Sequence, residues 1–254
     1  MNIMRKFLFF FILQCSWLMA GAATQPSKAQ ADTLYAAEEY EQAAEAYQQL
    51  VKAHGESPEL YYNMGNCYYR LEQTSKAVLY YEKAHLLDPA DTDIRFNLDM
   101  ARSKTVDKVA PASEMFFVTW YRSLVLSMSI HLWARLAIIA FVLMLIALAV
   151  YLFSPKLGMK KAGFTAAVLL LLTVVVANMA AMQQRSHLLH RTGAVIMAPS
   201  VVVKSTPSAS GTDLFILHDG TRVEISDATM KHWCQIHLSD GKEGWVEKKH
   251  LEVI

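Results

Sequence analysis

Ala137-Ile-Ile-Ala-Phe-Val-Leu-Met-Leu-Ile-Ala-Leu-Ala-Val-Tyr-Leu-Phe153 runs without one charge, and a second apolar stretch, Ala162 to Met182, has Asn178 as its only strongly polar side chain. A helix crossing a ~30 Å hydrocarbon core needs ~20 apolar residues. The second stretch meets that length alone, and the first meets it when Leu132 to Leu136 are included and Arg135 snorkels outward. Two spanning helices are therefore expected, over residues 132–153 and 162–182. A pair of buried core helices is the competing reading, but a soluble helix of this length nearly always carries a polar face. The intervening Ser154-Pro-Lys-Leu-Gly-Met-Lys-Lys161 is long enough only for a tight turn. The helices must then form an antiparallel hairpin, with residues 154–161 on one side and both flanking segments on the other.

The start of the chain sets which side that is. Arg5 and Lys6 precede the apolar run Phe7 to Leu13, and Ala20-Gly-Ala22 supplies an Ala-x-Ala cleavage pattern. This order reads as a secretory signal peptide over residues 1–22, and an uncleaved anchor would export the next segment equally well. Lys156, Lys160 and Lys161 then face the cytoplasm. The outer flanks carry Arg122, Arg135, Arg185 and Arg191, so the signal rather than the charge bias decides the orientation. Beyond the signal, Cys67 and Cys234 stand one in each soluble part and read as ordinary buried or half-buried thiols.

With 54% hydrophobic residues the chain is too apolar for a soluble protein of its length. Roughly 85 and 65 residues remain for two small soluble parts, each near the lower limit for an independent core. Residues 23–110 hold 14 acidic and 9 basic side chains, a net of −5, and residues 183–254 hold 8 of each. Neither part carries the basic stripe of a nucleic-acid binder. No nucleophile with a base, paired acid motif, glycine-rich phosphate loop or metal spacing stands out; the expectation is a protein that is not an enzyme and uses no cofactor or metal.

Between the signal and the hairpin the pattern repeats every 34 residues. From Pro58 to Pro89, Gly65 and Ala77 are small where two antiparallel helices touch, Tyr61, Met64, Tyr68, Tyr81 and Ala84 fill the space between them, and Pro89 sets the turn onward. This segment resembles a tetratricopeptide repeat along its whole length. Ala43 and Tyr47 occupy the places of Ala77 and Tyr81 one period earlier, giving a second, less perfect repeat. Asp91 to Lys104 supplies a further helix whose Asp99 and Arg102 suit a polar cap closing the stack. The resemblance implies a concave face that holds peptides or partner proteins, and its groove positions fall on Tyr35, Glu59, Tyr62, Asn66, Tyr69, Arg70 and Phe96. Asn66 and Asn97 have the spacing of the paired asparagines that grip a C-terminal carboxylate in some of these repeats, but Tyr62 replaces the accompanying lysine. Asn63, Asn66 and Asn97 are better read as consensus residues, and the tyrosine-rich groove as the contact surface.

Residues 111–131 lead to the membrane. Met115 to Ile130 is apolar but broken by Arg122 and serines, which fits a helix lying in the interface with Trp120, Tyr121 and Trp133 at headgroup level, or an early extension of the first spanning helix. After the linker 183–192, residues 193–254 change to alternating periodicity, with His218-Asp-Gly220 and Ser239-Asp-Gly241 as turn signals. Five or so short strands imply a small closed barrel. Val201-Val-Val-Lys-Ser-Thr-Pro207, Leu217-His-Asp-Gly-Thr-Arg-Val-Glu224, Trp233 and Asp240-Gly-Lys-Glu-Gly-Trp-Val246 resemble a bacterial SH3 domain. Some relatives bind cell-wall peptides or polyproline segments. Trp233 and Trp245 are candidates for an aromatic shelf here, with burial in the small core as the preferred reading.

The order of signal, tetratricopeptide array, two-helix hairpin and SH3-like barrel resembles the BatE family of exported, aerotolerance-associated proteins. That resemblance implies an inner-membrane protein with both soluble domains in the periplasm. It also implies partners with von Willebrand A-type domains and a MoxR-type ATPase system. The expectation is a membrane-anchored scaffold whose repeat groove binds partner proteins; the alternative is a peptidoglycan-peptide binding module acting through the β domain.

Overall fold

The computed structural model describes residues 27–110 and 115–254; the expected signal lies outside them. Five helices come first: α1 (Lys28–Ala36), α2 (Tyr40–His54), α3 (Pro58–Arg70), α4 (Thr74–Leu87) and α5 (Thr92–Ser103). Ser27 caps α1, its hydroxyl accepting from Gln30 N–H while the Gln30 side chain accepts from Ser27 N–H. Pro58 opens α3, where a missing N–H does no harm. The period is visible in detail. Glu38 and Glu72 both adopt positive φ (63° and 60°) at the two inter-helix turns. Tyr47 donates to Asp32 and, one repeat later, Tyr81 donates to Asn66, each at 2.6 Å. Gly65 is small because a Cβ there would lie 2.6 Å from the Tyr81 ring.

Residues 193–254 form a seven-stranded antiparallel sheet in the order β3-β2-β6-β5-β4-β1-β7. Its strands are β1 (Gly193–Ile196), β2 (Ser200–Lys204), β3 (Asp213–His218), β4 (Arg222–Asp227), β5 (Trp233–His237), β6 (Glu243–Glu247) and β7 (Leu251–Val253). The sheet wraps one core of Ala194, Val203, Val223, Cys234, Ile236 and Val246, so the all-β, SH3-like reading holds. The ring of ladders is not continuous, however, since β3 and β7 are its ends.

The array is not closed by a polar cap. Ala77, Val78 and Leu79 of α4 and Leu98 and Ala101 of α5 share a buried cluster with Val195 of β1 and with Ile254. The β domain therefore covers the end of the array, and Asp99 and Arg102 serve charge pairing beside that junction.

Three further helices follow residue 115: α6 (Phe116–Val125), α7 (Ile130–Phe153) and α8 (Leu157–Leu189). α7 and α8 are long and apolar enough to cross a membrane, and only 11% of the apolar window of each is buried, unlike the core helix of a soluble protein. They pack antiparallel at Gly163, where a Cβ would sit 2.9 Å from Ala147 O and Tyr151 N. α8 continues past Met182 for two more turns. Gln184 explains this: it is buried, and its amide donates to the carbonyls of Val125 and, at 2.8 Å, Met128. Tyr121 donates to Gln183 at 2.6 Å. Trp133 is 3% exposed and donates to Val125 O, locking the α6–α7 corner.

Candidate functional site

The candidate residues lie on α1, α3 and α5 and fall into two groups. Some are held by the fold. Asn66 accepts from Tyr81, and the Asn97 amide donates both to Tyr62 Oη (3.0 Å) and to Asp93 O (2.8 Å). A carboxamide has two N–H donors. Both of Asn97's are engaged, so the Asn66–Asn97 pair has no free clamp to offer a carboxylate. Tyr62 also packs on Tyr81 with ring centroids 5.9 Å apart, and burial pushes its hydroxyl above the usual tyrosine range.

The others are less enclosed, although Tyr35 and Tyr69 are half-buried against the two array clusters. Phe96 is 66% exposed, a large apolar area that the fold does not use. Arg70 is exposed and reaches the Tyr35 hydroxyl, while Tyr35 stands edge-on to Tyr40 at 5.2 Å. Lys104 lies 3.9 Å from the centre of the Tyr69 ring, a cation–π contact that the sequence reading missed. Glu59 is exposed and paired with Lys28 at 3.0 Å, and Lys28 also bonds Asp32 at 2.9 Å. Among these candidates Phe96 is exposed and Tyr35 and Tyr69 are half-buried, with Arg70 and Lys104 at the C-terminal ends of α3 and α5 and Glu59 in the first turn of α3.

In the β domain, Trp233 lies opposite Glu247 and Gln235 opposite Trp245 across β5 and β6. Cys234, Ile236 and Val246, at the alternating positions, are buried, so both tryptophans belong to the outward face, diagonal to one another and half-buried. Neither fills the core, contrary to the preferred reading. Trp233 also lines a cavity of about 400 Å³ with Ala209, Lys231, His232, Glu247, Lys248 and Lys249.

The junction between the modules was not foreseen. Asp107, in the segment after α5, accepts from His218 N–H and Thr221 Oγ1, both at 2.7 Å, and sits 2.9 Å from His218 Nδ1. Burial raises its pKa, but these bonds from His218 and Thr221 outweigh burial and hold the carboxyl below its usual range. Gly220, at φ +80°, lets the β3–β4 turn press on Thr105, whose methyl would be 2.7 Å from any Cβ there. Glu82 of α4 is almost fully buried between Arg102 (Nε, 3.1 Å) and Arg222 (Nε, 3.5 Å), and Lys83 pairs with Glu252 at 3.2 Å. Below the junction, Arg191 bonds Glu56 (Nη1, 2.8 Å) and keeps that carboxyl low. One signal was available in the sequence: an acidic residue at an inward position of α4.

Among the described residues the cysteines, Cys67 and Cys234, are free and fully buried, and burial pushes the Cys67 thiol up to about 12, which removes it as a nucleophile. Among the described residues no group of His, Cys, Asp or Glu is placed to hold a metal ion.

Residues 28–92 match the tetratricopeptide repeat family, and residues 199–252 match the bacterial SH3 domain family. No curated protein matches the chain. Each match covers one module and neither reaches the hairpin. Val195, Met197 and Ile254, and likewise Leu98, Ala101, Arg102 and Asp107, lie outside the matched spans. The junction thus joins residues within the two family patterns to others beyond them.

Proposed function

We propose that the chain is a membrane-anchored adaptor whose repeat groove holds a partner protein. In this reading α7 and α8 span the inner membrane, and both soluble modules stand on the periplasmic side. The observation that carries the reading is the division of the array's surface. The β domain covers the α4 side and the end of the stack, while Phe96 of α5 is 66% exposed and Arg70, at the end of α3, is exposed as well. Exposed aromatic and arginine side chains are the residue types of a protein-binding hot spot. The BatE resemblance names the partners to test first, a membrane protein with a von Willebrand A-type domain and the MoxR-type ATPase system working with it.

The test is crosslinking and co-purification of the full-length protein from its own membranes. Phe96→Ala and Arg70→Ala should each remove the captured von Willebrand A-type partner. Tyr62 is unsuited to this purpose, because its loss also strips Asn97 and Tyr81 of contacts. Retention of the partner by both variants would refute the groove reading.

A second reading rests on the outward Trp233–Trp245 face and the cavity beside it: recognition of cell-wall peptides by the β domain. Full-length protein in detergent, mixed with purified peptidoglycan, should then sediment with it and lose this on Trp233→Ala. Sedimentation unaffected by that change, or none at all, would dismiss it.

A further inference from the structure

Asn178 is the carboxamide inside the apolar part of α8, and the chain leaves it uncovered. Its Nδ2 donates to Val174 O at 2.8 Å, one turn back. Among the described residues no donor reaches its Oδ1, and its second N–H is likewise unused. Five residues separate it from Gln183, about 7.5 Å along the helix. Gln183 and Gln184 mark the membrane boundary on that side, because they bind the α6–α7 corner. Asn178 thus stands within hydrocarbon, where an unmatched amide is strongly disfavoured.

Its neighbours on that face form a pattern. Phe164, Val168, Leu171, Val175, Asn178 and Met182 follow one another at steps of four and three residues, and all are exposed. At 100° per residue these six lie within one quadrant of the helix, facing away from the buried Gly163, Ala177, Ala180 and Gln184 that meet α7 and its corner. Four-three spacing is the seam of a left-handed helix pair, and one asparagine in such a seam fixes register and partner number. A carboxamide carries both a donor and an acceptor, so it complements itself across a two-fold axis.

We propose that this face of α8 is a self-association surface: a second copy of the chain packs along it in the membrane, Asn178 against Asn178. Reciprocal Nδ2–H···Oδ1 bonds use the acceptor and the donor that the single chain leaves over. The dimer presents two grooves on one side of the membrane, so a partner with two matching sites is held more tightly than by either groove alone. The inference rests on the membrane-spanning reading of α7 and α8.

The experiment uses purified full-length protein carrying Cys15→Ser, reconstituted in phosphatidylcholine vesicles over a range of lipid dilutions. Single cysteines are introduced at Leu171, Val175 or Met182 on the seam, and at Leu169 or Val176 away from it. Oxidation should give covalent dimers at the seam positions and little at the other two. Adding Asn178→Leu to Met182→Cys should shift the dilution at which dimers are lost by about three- to thirty-fold, and Asn178→Gln should restore most of it. Equal yields on both faces, no dimer at any position, or an unmoved dilution curve with Asn178→Leu would overturn the proposal. Carbonate washing separates the two readings. Protein stripped from the vesicles refutes the spanning hairpin itself, whereas protein that stays embedded without seam dimers refutes self-association alone.

Discussion

Replacing Asp107 with alanine removes the acceptor on which His218 N–H, Thr221 Oγ1 and His218 Nδ1 converge at 2.7–2.9 Å. Hydrogen bonds to an ionised acceptor contribute about 1.5–3 kcal/mol each and are not additive within one cluster. The Asp107 side chain is 18% exposed, which calls for a modest discount, while Thr221 is 4% exposed and would be left without its acceptor. Together these give a loss of about 3–4 kcal/mol in the docking of the β domain on the array. Asp107→Asn retains one acceptor oxygen and should lose about half as much. Amide hydrogen exchange is the assay. Gly220 N–H, bonded to Ile196 O at 2.8 Å, should exchange about 10²–10³ times faster in Asp107→Ala, together with the α4 amides facing β1. Cores remote from the junction, such as Ala43 and Tyr47, should keep their protection. The sign with pH follows from the depressed carboxyl. Its contribution is complete above the unfolded value near ~4 and is lost as pH falls through the lower folded value. Exchange at Gly220 changed less than a few-fold by Asp107→Ala, in a protein that remains folded, would refute the assignment.

His85 gives a second pH dependence, in a different window. Its Nδ1 is enclosed without a partner, and burial pushes its pKa below the usual histidine value, opposed by Glu82 and assisted by Arg102, Arg95 and Arg222. The neutral ring is the folded form, so its contribution is present above ~6.5 and declines as pH falls through the folded value. The thermal midpoint of the soluble part should fall between pH 7.5 and 5.5, and less so in His85→Gln. Gly65→Ala should destabilise the array by about 1–3 kcal/mol in urea titration, because the Tyr81 ring that it displaces is itself 1% exposed. Gly163→Leu should force α7 and α8 apart at Ala147 and Tyr151 and lower the melting point in detergent, with exchange at the junction unchanged.

The repeat was legible because its constraints are local and periodic: Gly65, Ala77 and Tyr81 meet within one helix pair, so spacing alone reveals them. The pair of long apolar helices was legible for the same reason, since length and apolarity suffice, although α8 starts at Leu157, within the expected loop 154–161. The end of α8 was not. Gln183 to Ser186 reads as the close of an apolar helix, yet Gln184 finds the carbonyls of Val125 and Met128 from a distant segment, and the helix continues. The bond from Trp133 to Val125 O was hidden for the same reason. The junction was hidden because each apolar contributor, Ala77 and Leu98 on one side, Val195 and Ile254 on the other, reads as core of its own module. Glu82 is the exception, a carboxylate with side-chain exposure of 5% that only a second module's Arg222 fully explains. In the groove, resemblance placed seven residues on one face. Only the hydrogen bonds separate Tyr62 and Asn66, which the fold employs, from Phe96, which stays 66% exposed.

In the proposed reading the concave face, and not the β domain or the hairpin, recruits a partner protein. A photo-crosslinking amino acid placed at position 96 of the full-length protein in its own membranes tests this most directly, with the same residue at position 233 as comparison. The account predicts an adduct with one membrane protein bearing a von Willebrand A-type domain from position 96, abolished by Arg70→Ala, and no such adduct from position 233. That adduct arising from position 233 instead, or failing to arise from position 96, would contradict it.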